Sequence, residues 1–519
     1  MIEAPASLLT VIRLAAPEIE AHAVTFRWQI APETSLYRKT SFRIDYPESI
    51  DCRAIPLRLW WIVAMLCLHP QWMLLRPCRI ELPVRLGSGE TEWWLRLMDA
   101  GTTTLEALRG TSDTTRSIEI VEGDEDLPEV TPLPDFGRCV AAFSGGKDSL
   151  LQAALLCELT KRPALVATTS PMKPFFDHET ERRRQVFQDI IKRREVGFFE
   201  VKSDLRAIWA NHFGWSEKRY PIAVSELSDA FLYFSNALIV GVSIGATHVF
   251  LASEAELQEN AIVDGRVIQY KHFMYSGVTQ RALSTLLAPF NLIYSSVSSP
   301  LHQDSVQRLL WTRYRDLADL QYSCWNVPLD AAACSQCASC LKNAMCVLAV
   351  NGDPALIGID LPTLLAKLWR WNPWEADERA KSGVRGSIPA QIVANIKSVS
   401  LASFLAAVVD GRSGQLFAWR TWKALIAFAM LRHSLRKHRV VTPGWRPGFL
   451  RHVDALVRDR IGAVYAQYFT PEDEQDYAPL LERAEMLARW ITEPLRRRES
   501  TNLSAARLPV LEPSSDFAD

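Results

Sequence analysis

The sequence predicts an α/β fold built on a doubly wound parallel sheet, with an N-terminal α+β domain, a metal-binding loop and a C-terminal helical region. Three observations predict it. From Cys139 onward, apolar runs of strand length alternate with stretches of helical period. The first of those strands runs into Ser144-Gly145-Gly146-Lys147-Asp148-Ser149, a glycine turn that opens a helix. Four cysteines then gather between 324 and 340, as in a metal-binding loop. Strands separated by helices imply parallel pairing with both faces covered. Ligands of such sheets bind beyond the carboxyl ends of the strands, the end that carries the glycine turn.

With 519 residues the chain is long enough for roughly three domains. Apolar content of 48% and charged content of 23% are those of a soluble globular protein, and the net charge of −1 selects no partner class. Met1-Ile2-Glu3-Ala4 has neither the basic start nor the apolar core of a secretory signal. The most apolar run, Leu57 to Leu68, contains Arg58 and is too short to cross a bilayer, so no membrane partner is expected. Ten cysteines without an export signal fit a reducing cytoplasm, where clustered thiols bind metal more often than they pair.

In chain order, residues 1–120 form the N-terminal α+β domain. Ala23-Val24-Thr25-Phe26-Arg27-Trp28 and Glu92-Trp93-Trp94-Leu95-Arg96-Leu97 alternate as strands, and Leu57–Leu68 reads as a helix packed on them. Residues 121–136, acidic and proline-rich without periodicity, read as a linker. Residues 137–350 hold the predicted sheet, with strands at 139–143, 164–169, 197–202, 247–252 and 291–296. Helices are expected at 149–160, 179–194, 226–244, 276–288 and 302–317. Residues 351–496 read as a helical domain rich in tryptophan, with Trp369, Trp371, Trp374, Trp419, Trp422, Trp445 and Trp490 beyond Cys346. The tail, 497–519, reads as disordered apart from an apolar island at Leu508–Leu511.

The glycine turn carries the chemistry. At a helix N-terminus, unpaired N–H groups and the macrodipole favour a polyphosphate, and glycines let a ligand approach the backbone. Ser144 and Ser149 add hydroxyls, Lys147 a cation, and Asp148 a carboxylate able to orient Mg2+ or to cap the helix. An ordinary strand-to-helix turn is the plainer reading, but the loop has six suitable residues in the right context. The longer loop of the Walker pattern is absent here.

Cys324, Cys334, Cys337 and Cys340 follow a C-x9-C-x2-C-x2-C spacing, with Cys346 six residues on. Four thiolates close a tetrahedral Zn2+ site and leave no position open for substrate, which makes such a site structural. An iron–sulfur cluster or a redox role uses the same residues.

Between Gly411 and Val453 lie nine Lys/Arg and no Asp or Glu. A solvated face paired with acids elsewhere is favoured there over a protein partner, and both over nucleic acid. The cluster Trp369-Arg370-Trp371-Asn372-Pro373-Trp374 reads as core or domain interface rather than as a base-stacking platform.

Ser144–Ser149 resembles the SGGxDS loop of the PP-loop ATP pyrophosphatases. Together with S-C-W…C-S-Q-C-A-S-C from 323 to 340, it resembles the QueC family of 7-cyano-7-deazaguanine synthases over about 138–350. The resemblance implies that ATP and Mg2+ bind at Ser144, Gly145, Gly146, Lys147, Asp148 and Ser149, and that Zn2+ binds at the four cysteines. Asp177-His178-Glu179-Thr180-Glu181 matches a His-x-x-Glu element of the family, which adds His178 and Glu181 to Lys147 and Asp148 as expected catalytic residues. His178 read alone is a helix-start residue. The implied reaction adenylates the carboxylate of 7-carboxy-7-deazaguanine, with release of pyrophosphate, for attack by an amine.

The long flanks resemble those of QueC-like components of bacterial anti-phage systems, such as the Qat system and type IV CBASS. That implies a deazaguanine-type substrate and partner proteins from a defence operon, one of which could supply the amine. The chain departs from the synthases at Asp229-Ala230, where the family has Arg-Asn, and at Asp304-Ser305, where it has a lysine. Lys147 is commoner in PP-loop enzymes that modify tRNA. A tRNA-modifying enzyme and a non-catalytic ATP-binding scaffold are therefore the alternatives.

Overall fold

The computed structural model describes residues 9–364, except 35–36, 76, 110–116, 171–174, 209–223, 256, 258–261, 264–265, 268–272, 323, 325–332, 336–337, 351 and 362, together with 444–496. Among the described residues its centre is a mixed, mostly parallel sheet of eleven strands, the ten labelled below and the two-residue Glu18–Ile19, with helices on both faces.

The first part of the chain supplies β1 (Thr10–Leu14), β2 (Ala23–Ala31), β3 (Ser41–Asp45), α1 (Leu57–Trp72), β4 (Cys78–Glu81), α2 (Glu90–Arg109) and β5 (Ile118–Val121). The second supplies β6 (Cys139–Ala142), α3 (Lys147–Leu159), β7 (Ala164–Thr169), α4 (Phe175–Arg193), β8 (Gly197–Ser203), α5 (Val224–Ser243), β9 (His248–Phe250), α6 (Gly277–Leu287) and β10 (Ile293–Ser295). These five strands are mutually parallel in the order β10-β9-β6-β7-β8, at the positions the sequence predicts. The sheet then continues into the first part of the chain, because Lys202 and Ser203 of β8 pair antiparallel with Asp45 and Ile44 of β3.

Alternation along the central strands sorts their side chains into two cores. Val140, Ala142, Val166 and Val249 face the core that holds α1, α5 and α6. Cys139, Ala141, Phe143, Leu165, Ala167 and Phe250 face the one that holds α3. Strands buried on both faces have no polar side, which is why they read as continuous apolar runs.

Glu92–Leu97 lies in α2 and is not a strand. Trp93, Trp94, Leu97 and Met98 are all buried, a spacing of one and four that fits the helical stripe better than alternation. Glu90 and Glu92 in the first turn favour the helix start. The helix expected over 302–317 is divided into α7 (Gln303–Thr312) and a short turn Arg315–Ala318. Within the acidic segment, Glu125–Asp126 pairs with Val84–Arg85, and Leu127, Val130 and Leu133 pack on the core.

α1 is buried from Leu59 to Trp72 and packs against α5. Among the described residues no helix is long and apolar enough to cross a membrane. After α8 (Ala338–Ala349), the described C-terminal segment forms α9 (Arg458–Tyr468) and α10 (Ala478–Arg496). α10 lies against α6 and α2, where Arg96 donates to Glu493 at 2.9 Å and stacks on Trp490. Trp369, Trp371, Trp374, Trp419 and Trp422, the basic residues from Arg412 to Arg439, and the tail 497–519 lie outside the described residues.

Candidate functional site

The chain leaves β6 toward β7 and β8 on one side, then returns on the other side with β9 and β10. Strand order therefore reverses between β6 and β9, and the carboxyl ends of these two strands open the crevice where doubly wound sheets take ligands. Ser144–Ser149 closes the β6 side of that crevice.

The loop is shaped by its own hydroxyls and by one glycine. Gly145 sits at φ +79°, the left-handed region that glycine enters without strain. The Ser144 and Ser149 hydroxyls lie 3.2 Å apart, and Ser149 Oγ donates to the Gly146 carbonyl at 3.1 Å. Gly146 caps α3 with no side-chain acceptor, so the first-turn N–H groups have no side-chain cap. From a different element, the Tyr322 N–H reaches the Gly145 carbonyl at 2.7 Å.

Lys147 is buried at the start of α3. Its Nζ is 2.5 Å from both Asp148 Oδ1 and Glu254 Oε2. Burial works against its charge, but the two carboxylates outweigh it and hold the ammonium above its ordinary pKa. For Asp148, burial and the Glu254 carboxylate push the pKa up against the pull of Lys147. Glu254 follows β9 by four residues, so the pair spans the crevice from the β9 side to the β6 side. Nothing in the sequence around Glu254 marks it out; pairing of β9 with β6 is what brings it there.

A second polar cluster lies at the carboxyl end of β8. Arg206 grips Asp229 of α5 with two bonds, Nε at 3.1 Å and Nη2 at 2.6 Å, and also meets the Tyr233 hydroxyl. Tyr275 is within electrostatic reach of Tyr233, Asp229 and Asp148, and burial, then those groups, raise its pKa. Asp229, noted in the sequence as an unexpected charge, is thus matched by an arginine 23 residues earlier. Asp304 and Ser305 are fully buried in the first turn of α7. Ser305 donates to the Gly444 carbonyl at 2.9 Å, so the C-terminal segment covers this position.

The sulfurs of Cys324, Cys334 and Cys340 lie within 4.8 Å of one another, a set that could hold a metal ion. Cys324 Sγ accepts the Cys334 N–H at 3.2 Å, and Ser335 takes φ +52°, a tight turn of the kind that lets neighbouring thiols converge. Cys337 lies outside the described residues. Cys346 is buried in α8 and is not among these three.

His178 falls in the first turn of α4, and its side chain is outside the described residues. Glu181 is exposed on the same helix, 4.0 Å from Arg184. In the basic stretch, Arg446 pairs with Glu472, and Arg451 pairs with Glu474 and Glu485. For these two arginines the charge is met by acids of the same chain.

No protein-family model matches the chain, and no curated protein or solved structure matches it.

Proposed function

We propose that the chain is an ATP-dependent, carboxylate-adenylating enzyme of QueC type. The observation that carries this reading is the position of Ser144–Ser149, a glycine loop between a buried parallel strand and a helix, at the switch point of the sheet. The loop N–H groups, the Ser144 and Ser149 hydroxyls and Lys147 would bind the triphosphate. Asp148 would hold Mg2+, which supplies charge neutralisation on the departing pyrophosphate. The substrate carboxylate oxygen attacks the α-phosphorus, the bond to the bridging oxygen breaks, and pyrophosphate leaves. AMP then makes that oxygen a good leaving group for an incoming amine.

Lys147, Asp148, His178 and Glu181 are the proposed catalytic residues. Cys324, Cys334, Cys337 and Cys340 would hold Zn2+, three of them already converged. The acyl substrate is proposed to be a deazaguanine carboxylate. Its acceptor is ammonia or an amine of a partner protein, in cytoplasmic anti-phage defence. The pairing of Asp229 with Arg206 makes this substrate wall differ in charge arrangement from the Arg-Asn pair of the synthases.

The test is pyrophosphate release from ATP–Mg2+ with 7-carboxy-7-deazaguanine, alongside intact-mass analysis of co-expressed neighbouring gene products. Release that needs the carboxylate, or a deazaguanine-sized adduct on a neighbour, supports the reading. ATP binding without pyrophosphate release under either condition would move it to the scaffold alternative.

A further inference from the structure

Tyr322 stands between the glycine loop and the thiol cluster. Its N–H donates to the Gly145 carbonyl at 2.7 Å, and its Cβ lies 3.7 Å from where a side chain on Gly145 would begin. The Gly145 carbonyl and the Gly146 N–H belong to one planar trans peptide and point in opposite directions. Holding that carbonyl therefore sets the direction in which the Gly146 N–H is presented. Gly145, at φ +79°, has no side chain of its own to restrict the peptide.

Two residues after Tyr322, Cys324 joins Cys334 and Cys340. Gln321 and Tyr322 line the small cavity beside those thiols, with Asn343, Ile357 and Ile359. On the other side, Gln321 accepts from Gln307 at 2.7 Å and donates to the Ala318 carbonyl at 2.9 Å. The segment thus has the glycine loop at one end and the thiols at the other, with Tyr322 and Cys324 only two residues apart in the chain.

The geometry points to Tyr322 as a positioning residue that couples metal at Cys324, Cys334 and Cys340 to nucleotide at Ser144–Ser149. The metal would fix the segment, the segment fixes the Gly145–Gly146 peptide, and that peptide orients its N–H, a long 3.4 Å from Ser144 Oγ, for a phosphate. This rests on the nucleotide-binding reading above. Coupling of this kind is reciprocal, so each ligand tightens the other by the same factor.

The experiment measures binding of α,β-methylene-ATP with Mg2+ to the full chain, loaded with Zn2+ or stripped by chelator, with folding followed by circular dichroism. Affinity is expected to fall about tenfold on stripping and to return on adding Zn2+. Tyr322→Pro deletes the N–H and keeps every thiol. Loaded with Zn2+, it is expected to retain its metal while binding the analogue about tenfold more weakly than the loaded parent. Equal affinity of loaded and stripped protein, both folded, would overturn the coupling. A loaded Tyr322→Pro chain with the parent's affinity would overturn the role of Tyr322, and this comparison holds even where stripping unfolds the protein. Failure of the loaded parent to bind the analogue would instead remove the nucleotide reading, and the coupling with it.

Discussion

Lys147 Nζ and Glu254 Oε2 lie 2.5 Å apart across the carboxyl ends of β6 and β9, both side chains almost wholly buried. The contact joins the first residue of α3 to the segment after β9, across the place where strand order reverses. A buried ammonium this close to a carboxylate is costly to leave unmatched.

Glu254→Gln should therefore destabilise the fold by roughly 1–3 kcal/mol, the cost of a weakened buried charge contact, partly relieved because Asp148 remains. Lys147→Met combined with Glu254→Gln should be less destabilising than the two single effects added, since the contact is then removed from both sides. Urea denaturation of the two single variants and the double variant checks this. Strict additivity would mean that the two side chains do not share energy.

Gly145→Ala separates backbone strain from crowding. A new Cβ would meet Val186 no closer than 3.5 Å, so space is available, but alanine at φ +79° is strained. The expected loss is about 1–2 kcal/mol of stability. On the proposed function, pyrophosphate release should fall further than the stability change explains, because the strain is relieved by turning the same peptide that would meet phosphate.

Ser144→Ala and Asp148→Ala should abolish pyrophosphate release in a chain that keeps its circular dichroism spectrum. Among the described residues Ser144 Oγ bonds within the loop, to Ser149 Oγ and, at 3.4 Å, from the Gly146 N–H, so its removal should leave the sheet and both cores in place. Full release by either folded variant, with a substrate that the parent accepts, would sink the assignment of this loop to catalysis.

The five parallel strands were legible because Val140, Ala141 and Ala142, or Leu165, Val166 and Ala167, are apolar toward both cores. The glycine loop was legible because its residues are contiguous. Glu254 was not, since a single acid carries no pattern and reaches Lys147 only through pairing of β9 with β6. Asp229 could be flagged as an odd charge, while its partner Arg206 belongs to a different element. The extension of the sheet into the first part of the chain was also hidden, because it depends on two residues of β8 meeting β3. Glu92–Leu97 resembles a strand over its six residues, and the helical stripe is completed only by Met98 beyond them.

Two histidine–carboxylate contacts that hold the C-terminal segment should give opposite pH signatures. Glu472 accepts from Arg446 Nε at 2.8 Å and lies 2.7 Å from His302 Nε2. Burial alone would raise its pKa, but His302 and Arg446 prevail and pull it from 4.5 to about 2. A carboxylate depressed on folding contributes stability that is complete above its unfolded value and is lost as pH falls toward the folded one. The stability gap between the parent and Glu472→Gln should therefore be full at neutral pH and close between 4.5 and about 2. His248 lies 2.7 Å from Asp454 and 3.6 Å from Asp135. Burial would lower its pKa, yet the two carboxylates raise it above 6.5. Its contribution is therefore complete below 6.5 and is lost as pH rises through the folded value. The gap to His248→Asn should open in acid and narrow in base, the reverse of the Glu472 gap. Urea midpoints of the three proteins across pH read both, and a gap independent of pH in either variant would show that its contact carries no charge energy.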